Sequence, residues 1–244
     1  MLVAVRIGPL SLPTYPLLLL LGLYLGLWFG AKVAGRRGLD PNHIYNAGFY
    51  AFLAALLSGR LAHVLRFLPA YAGDPLSILS PNLVAFEPLA ALAGAVLVFG
   101  LYVRRQRLPT GVVVDALAAG ALMTLAFVSL ADALNGRHFG APTLLPWALV
   151  QWDVYRHPVQ LYEMLGIIAV LALIWAVLDR LRTGYVALVA IAGYATVRLL
   201  ADAFRDQPAT IGDGFRLTQV IALVALLLVL MTVYQMQRQP AGRP

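Results

Sequence analysis

Arg60, Glu87, Asp132, Glu163, Arg198 and Asp202 stand inside or at the ends of stretches that are otherwise apolar enough to cross a membrane. A charge in such a place costs roughly 2.5–3.5 kcal/mol on insertion scales, so each is a functional candidate by default. The chemistry they offer is anion recognition. A guanidinium presents paired donors in one plane that match a phosphate or carboxylate, and a nearby carboxylate can accept a proton. Arg198, Asp202 and Arg205 fall at i, i+4 and i+7, on one face of a helix. The plainer role for any one charge is to lock two helices together, as Arg60 with Glu87 or Arg198 with Glu163 would. As a set they favour a site. The chain has no cysteine, which excludes disulfides, thiolate metal sites and a thiol nucleophile of its own. His63, His138 and His157 lack helical metal spacing, and no Ser-His-Asp order or Gly-rich phosphate loop is evident. Neither a metal nor a cofactor is expected.

The elements that must position these groups are membrane spans. Of 244 residues, 61% are apolar and 12% charged, with a mean hydropathy of +0.81. An ordinary soluble domain is about 25% charged, so this chain has too little polar surface to cover a water-soluble globule, and disorder is excluded for the same reason. Crossing a hydrocarbon core takes about 20 helical residues. Charge-free runs at 7–31, 41–59 and 217–237 reach that length, and four shorter ones reach it by including a charge. The expected fold is all-α, a polytopic membrane protein forming one transmembrane domain over residues 1–244. Its seven transmembrane helices fall near 14–34, 44–66, 83–103, 111–132, 158–178, 184–204 and 216–236. Gly140, Pro142 and Pro146 spoil a helix between the fourth and fifth, leaving a long loop at 133–157. The first run is too long for a signal-peptide core and lacks a basic flank before it, so it is expected to remain as a span.

Orientation follows from the short loops. Lys32, Arg36, Arg37, Arg104, Arg105, Arg107, Arg180, Arg182, Arg238 and Arg243 fall on one side, while the loops on the other mix arginines with acids. The net charge of +7 lies wholly on the first side. That side is expected to be cytoplasmic, with the N-terminus outside and the C-terminus in the cytoplasm. The excess is then an orientation signal, and with no basic run carrying interleaved aromatics, no nucleic-acid partner is expected. Trp28, Trp147, Trp152 and Tyr24 suit interfacial anchors. On this topology Arg60, His63, Glu87, Asp132, Glu163, Arg198 and Asp202 all reach the outer half of the membrane beside the long loop. Asp115, near the inner end of the fourth span, is the exception.

The text around that loop is specific. Asn135-Gly136-Arg137-His138-Phe139-Gly140-Ala141-Pro142-Thr143, then Leu145-Pro146-Trp147-Ala148, then Arg156-His157-Pro158-Val159-Gln160-Leu161-Tyr162-Glu163 resembles the prolipoprotein diacylglyceryl transferases. Those enzymes carry Asn-Gly-Glu-x-x-Gly-x-Pro-Thr, Leu-Pro-Trp-(Gly/Ala) and Arg-His-Pro-x-Gln-Leu-Tyr-Glu. Further likenesses follow in order: Ile7-Gly8-Pro9 with Tyr15, Ser58-Gly59-Arg60-Leu61, Asp74-Pro75-Leu76, Arg198 through Arg205, and Gln219. The likeness runs from about residue 7 to 234.

The resemblance implies transfer of the diacylglyceryl group of phosphatidylglycerol to the lipobox cysteine of a prolipoprotein signal peptide, in a bacterial plasma (inner) membrane. Its partners would be phosphatidylglycerol, the precursor peptide and membrane lipid. It further implies catalytic roles for Arg198, Glu87 and Tyr15, with Arg198 stabilising phosphate, Glu87 accepting a proton and Tyr15 bonding the lipid head group. Arg60, Asn135, Arg137, Gly140, His157, Gln160, Glu163 and Asp202 would line the lipid site. Of these, Gly140 would allow close lipid approach and Glu163 would orient the His157–Gln160 turn. Four signature positions differ: Ser129 replaces a lipid-binding arginine, Asp132 an asparagine, Arg137 a glutamate, and Glu87-Pro88-Leu89 a His-Gly-Gly. A second reading therefore stays open, in which the chain is a non-catalytic relative that binds anionic phospholipid or a lipoprotein precursor in the same cavity. A transporter or channel would explain the buried charges but not the long outer loop.

Overall fold

In lipid, backbone amides must be satisfied within the chain, so uninterrupted apolar runs become helices. A computed structural model of the protein describes residues 4–8, 10–71, 73–79, 85–212 and 214–238. Pro9, Asp213, Arg243 and the first residues of the span expected from 83 lie outside them. Among the described residues, seven helices are long and apolar enough to span a membrane. They are α1 (Thr14–Arg36), α2 (Pro41–Arg66), α4 (Pro88–Arg105), α5 (Thr110–Asn135), α6 (Val159–Val177), α7 (Tyr185–Ala201) and α8 (Leu217–Arg238), with a four-residue helix α3 (Leu68–Tyr71) after α2. Among the described residues are three two-stranded antiparallel hairpins: β1–β2 (Ala4–Ile7, Leu10–Pro13) before α1, and β3–β4 (Leu149–Gln151, Val154–Arg156) and β5–β6 (Thr210–Ile211, Phe215–Arg216) in the connections.

Local chemistry moves several boundaries. Asp40 caps α2, its carboxylate accepting the Asn42 amide at 3.0 Å, and Pro41 follows at the first helical position. α4 starts later than the hydropathy suggests, because Pro88 opens it directly after Glu87. α5 runs three residues into the expected loop and stops where Gly136 takes the left-handed conformation, φ +63°. α7 gives way at Asp202 to a single 3₁₀ turn, Asp202–Phe204, and Arg205 is extended.

α1 and α5 form the closest helix pair. Gly22, Gly26 and Gly30, four residues apart, face Ala116, Gly120 and Thr124; a Cβ on Gly120 would lie 2.6 Å from the Gly26 carbonyl oxygen. Small residues at this spacing let backbones approach where lipid supplies no hydrophobic drive between helices. Phe29, Ile167, Leu171, Ile174, Leu178 and Val186 pack together around this pair, drawing α6 and α7 into the same core. α2 and α4 pack on each other and join the remainder through α1, while α8 lies on α7.

Asp115 has a structural role. It is fully buried, and its two oxygens accept the amides of Gly184 (2.8 Å) and Ala187 (2.9 Å). A carboxylate at the start of α7 satisfies orphan donors and meets the positive end of the helix dipole. A cavity of about 950 Å³ also lies at this end of the bundle, between α1, α5 and α6, lined by Trp28, Lys32, Arg36, Met123, Leu171 and Trp175. It is remote from the charges singled out above, which gather at the opposite end with the long loop.

Candidate functional site

Glu163 is the centre of the charged cluster. It sits just over a turn into α6 with its side chain 7% exposed, and its Oε1 accepts from Arg198 Nη1 at 2.6 Å and from Arg205 Nη2. Arg205 is itself buried, places Nε 3.2 Å from Asp202 Oδ1, and donates through Nη1 to the His138 carbonyl at 3.2 Å. Asp202 is fully buried, and its backbone carbonyl accepts from Arg216 Nη1. The one-face spacing of Arg198, Asp202 and Arg205 leads to contact through a broken helix: the 3₁₀ turn swings Arg205 inward, so both arginines reach the same oxygen. Arg198 remains 24% exposed, and it is the guanidinium of the pair open to a ligand.

The long loop is fastened over this cluster. Gly140 and Arg205 form a β-bridge, and the Ala141 amide donates to the Phe204 carbonyl at 2.8 Å. Arg156, the first residue of the Arg-His-Pro text, donates to Asp206 Oδ2 (2.7 Å), Gly140 O (3.2 Å) and Gln151 O (3.2 Å), and lies over the Phe139 ring. Gln160 is buried and donates to the Arg137 carbonyl at 2.6 Å. His157 faces the Tyr162 hydroxyl at 3.4 Å, and Asn135 bonds back to the Ala131 carbonyl of its own helix at 2.8 Å. A Cβ on Gly140 would fall on the His157 carbonyl oxygen, so backbone packing by itself requires a glycine there. Glu163 Oε1 is taken by the two arginines, and among the described residues no hydrogen bond joins its carboxylate to the His157–Gln160 turn.

Arg137 follows the αL cap of α5 and folds over Tyr15 at the start of α1, 4.8 Å from its ring centroid. It is exposed, and among the described residues it has no carboxylate partner. Cation–π contact holds the head without neutralising it. Ser129, at the position of the family's arginine, is buried in α5. Two residues that spacing did not single out as a pair, Asp132 and His138, are joined at 2.9 Å between Oδ2 and Nδ1. The αL turn at Gly136 brings the chain back on itself, and only that turn would have signalled the pairing.

Arg60 and Glu87 form no pair. Arg60 donates to the carbonyls of Ile78 (2.9 Å), Ala85 (2.8 Å) and Ser77 (2.7 Å), pinning the α2–α4 connection. Glu87 instead meets Arg66 at 3.1 Å and His63 at 3.7 Å. Among the described residues no polar contact links this group to the Glu163 cluster. Of the residues implied for the lipid site and its catalysis, the structure joins Glu163 with Arg198, ties the Arg137 backbone to Gln160, and leaves Arg60 and Glu87 on the α2–α4 pair.

Seven apolar helices with an arginine–carboxylate cluster under a fastened loop define a polytopic membrane protein with a charged cluster at one end. The chain belongs to the prolipoprotein diacylglyceryl transferase family, whose model matches residues 2–235. It is 30% identical to the phosphatidylglycerol–prolipoprotein diacylglyceryl transferase of Synechococcus elongatus, over 96% of this chain and 88% of that protein. It is 34% identical to the protein of that name in Bordetella parapertussis, over 84% and 82%, and 31% identical to that of Bordetella avium, over 98% and 97%.

Proposed function

We propose that this protein transfers the diacylglyceryl group of phosphatidylglycerol to the lipobox cysteine of a prolipoprotein, in a bacterial plasma membrane and on its outer side. The observation that carries the reading is the Arg198–Glu163–Arg205 cluster, in a chain whose relatives bear the name of that reaction. Attack by the cysteine sulfur on the terminal diacylglyceryl carbon forms a C–S bond and breaks the C–O bond, and the electron pair leaves on the phosphate of glycerol phosphate. Charge growing on that phosphate is stabilised by a donor held in place beforehand. Glu163 holds Arg198 so, while Arg137 on Tyr15 supplies a second, unneutralised cation. The enzyme brings no thiol, and none is needed, because the peptide carries it. An apolar recess of about 250 Å³ between Tyr162, Gly166, Val197, Leu200, Ala201 and Phe204, on α6 and the end of α7, offers room for part of an acyl chain.

The test is the purified protein in vesicles of phosphatidylglycerol with a lipobox peptide, read by mass spectrometry. Thioether product is expected. Arg198→Ala is expected to lower kcat about 10²–10³-fold, the range seen when one preorganised donor to a developing anion is removed. Phospholipid binding without product would favour the non-catalytic reading.

A further inference from the structure

The geometry points to His138, oriented by Asp132, as the base that takes the proton from the lipobox thiol. This inference rests on the transferase reading above and adds the group that reading lacks, since the family's histidine is absent at Glu87-Pro88-Leu89.

Asp132 stands in the last turn of α5 with its side chain 12% exposed, and His138 Nδ1 is 2.9 Å from its Oδ2. Among the described residues the second oxygen, Oδ1, is buried without a hydrogen-bond partner, and the imidazole is the side chain the carboxylate holds. The ring itself is 63% exposed. A buried carboxylate beneath a half-open imidazole is the arrangement of a general base with its orienting group: Nδ1 donates to the carboxylate, which leaves Nε2 as the acceptor facing outward.

The backbone fixes the ring's position. His138 has φ +52°, a conformation uncommon for residues other than glycine. It is held there between the αL cap at Gly136 and Arg205, which donates to the His138 carbonyl. Arg205 also donates to Glu163, and Glu163 accepts from Arg198. One continuous set of contacts thus runs from the base to the phosphate-stabilising guanidinium. The charged groups around the dyad are Asp132 of α5 on the ring, Arg137 one residue before it, and Arg205 after α7 on its carbonyl. Asp132 stands where the family pattern has asparagine, so the carboxylate under the ring is a departure from that pattern.

In the reaction the S–H proton passes to His138 Nε2 as the C–S bond forms. The diacylglyceryl C–O bond breaks, glycerol phosphate leaves with the electron pair, and the imidazolium then returns its proton to water or to the departing phosphate. Atoms and charge balance with no other reactant.

The experiment compares wild type with His138→Gln, His138→Ala and Asp132→Asn in phosphatidylglycerol vesicles, measuring thioether formation against pH and melting temperature. His138→Gln is expected to lower kcat about 10²–10⁴-fold, the usual worth of a positioned base. It should also abolish the decline of wild-type rate on acidification, and leave KM for the lipid unchanged. Asp132→Asn should lose rate at every pH. Added imidazole should restore part of the rate to His138→Ala alone. A His138→Gln enzyme with the wild-type rate, or one slowed with its pH profile intact and no rescue of His138→Ala, overturns the assignment. A wild-type protein that makes no thioether overturns the transferase reading itself, and the base falls with it.

Discussion

Two groups of charges occupy the same end of the bundle and are built on different terms. In the α6–α7 group, Glu163, Arg205 and Asp202 are buried, one carboxylate oxygen serves two guanidiniums, and the loop is tied down on top. In the α2–α4 group, Arg66 is 66% exposed against Glu87, and Arg60 is taken up by three loop carbonyls. Both sets look alike as residues in a hydropathy trace. The difference is how many partners each charge has and how much water reaches it. A buried carboxylate between two arginines holds both in place, whereas an arginine whose three nitrogens each bind a loop carbonyl acts as a brace.

That contrast breaks most visibly at Glu163. Glu163→Ala leaves the buried Arg205 and the part-buried Arg198 without their shared acceptor, and breaking a buried pair in this way costs about 3–5 kcal/mol. A fall in melting temperature in detergent together with loss of thioether product is the expected result; a melting temperature equal to wild type would mean the two arginines find other acceptors. Arg60→Ala probes the brace. Its hydrogen bonds are charge-assisted, and a loss on the order of 2 kcal/mol is expected from the stranded carbonyls. Proteolysis at the α2–α4 connection should rise, and kcat measured on the protein that remains folded should move less than in Arg198→Ala. Arg66→Ala should do least. An exposed pair contributes about 0–1 kcal/mol, and the contribution should vanish in high salt, which a melting series against ionic strength checks.

Much of the fold was legible because lipid allows little else: each of the seven expected spans appears as a helix. The boundaries that shifted did so for local reasons, Pro88 at the start of α4 and Gly136 at the end of α5. The α1–α5 contact was written in Gly22, Gly26 and Gly30, a small-residue spacing that hydropathy does not weigh. In the site, the Arg198–Glu163 pair could be named from spacing alone, but Arg60 with Glu87, drawn on the same grounds, was not formed. Depth in the membrane is one coordinate, and two charges at one depth can still lie on separate helix pairs. His138 was unreadable for a different reason. Its partner lies six residues away across a left-handed turn, a separation at which no helical periodicity applies.

The sequence by itself determined that the chain crosses a membrane seven times, that its excess charge lies on one side, and that its family text surrounds the long loop. These follow from composition and order, which the hydrocarbon core reads directly. Only the tertiary structure decided which charges share a partner. Glu163 joins Arg198 and Arg205 because α7 unwinds at Asp202, and Asp132 meets His138 because α5 ends in an αL glycine. Asp115, the charge that stood alone at the other end, became the cap of α7. A charge in lipid must find a partner, and the fold chooses which one.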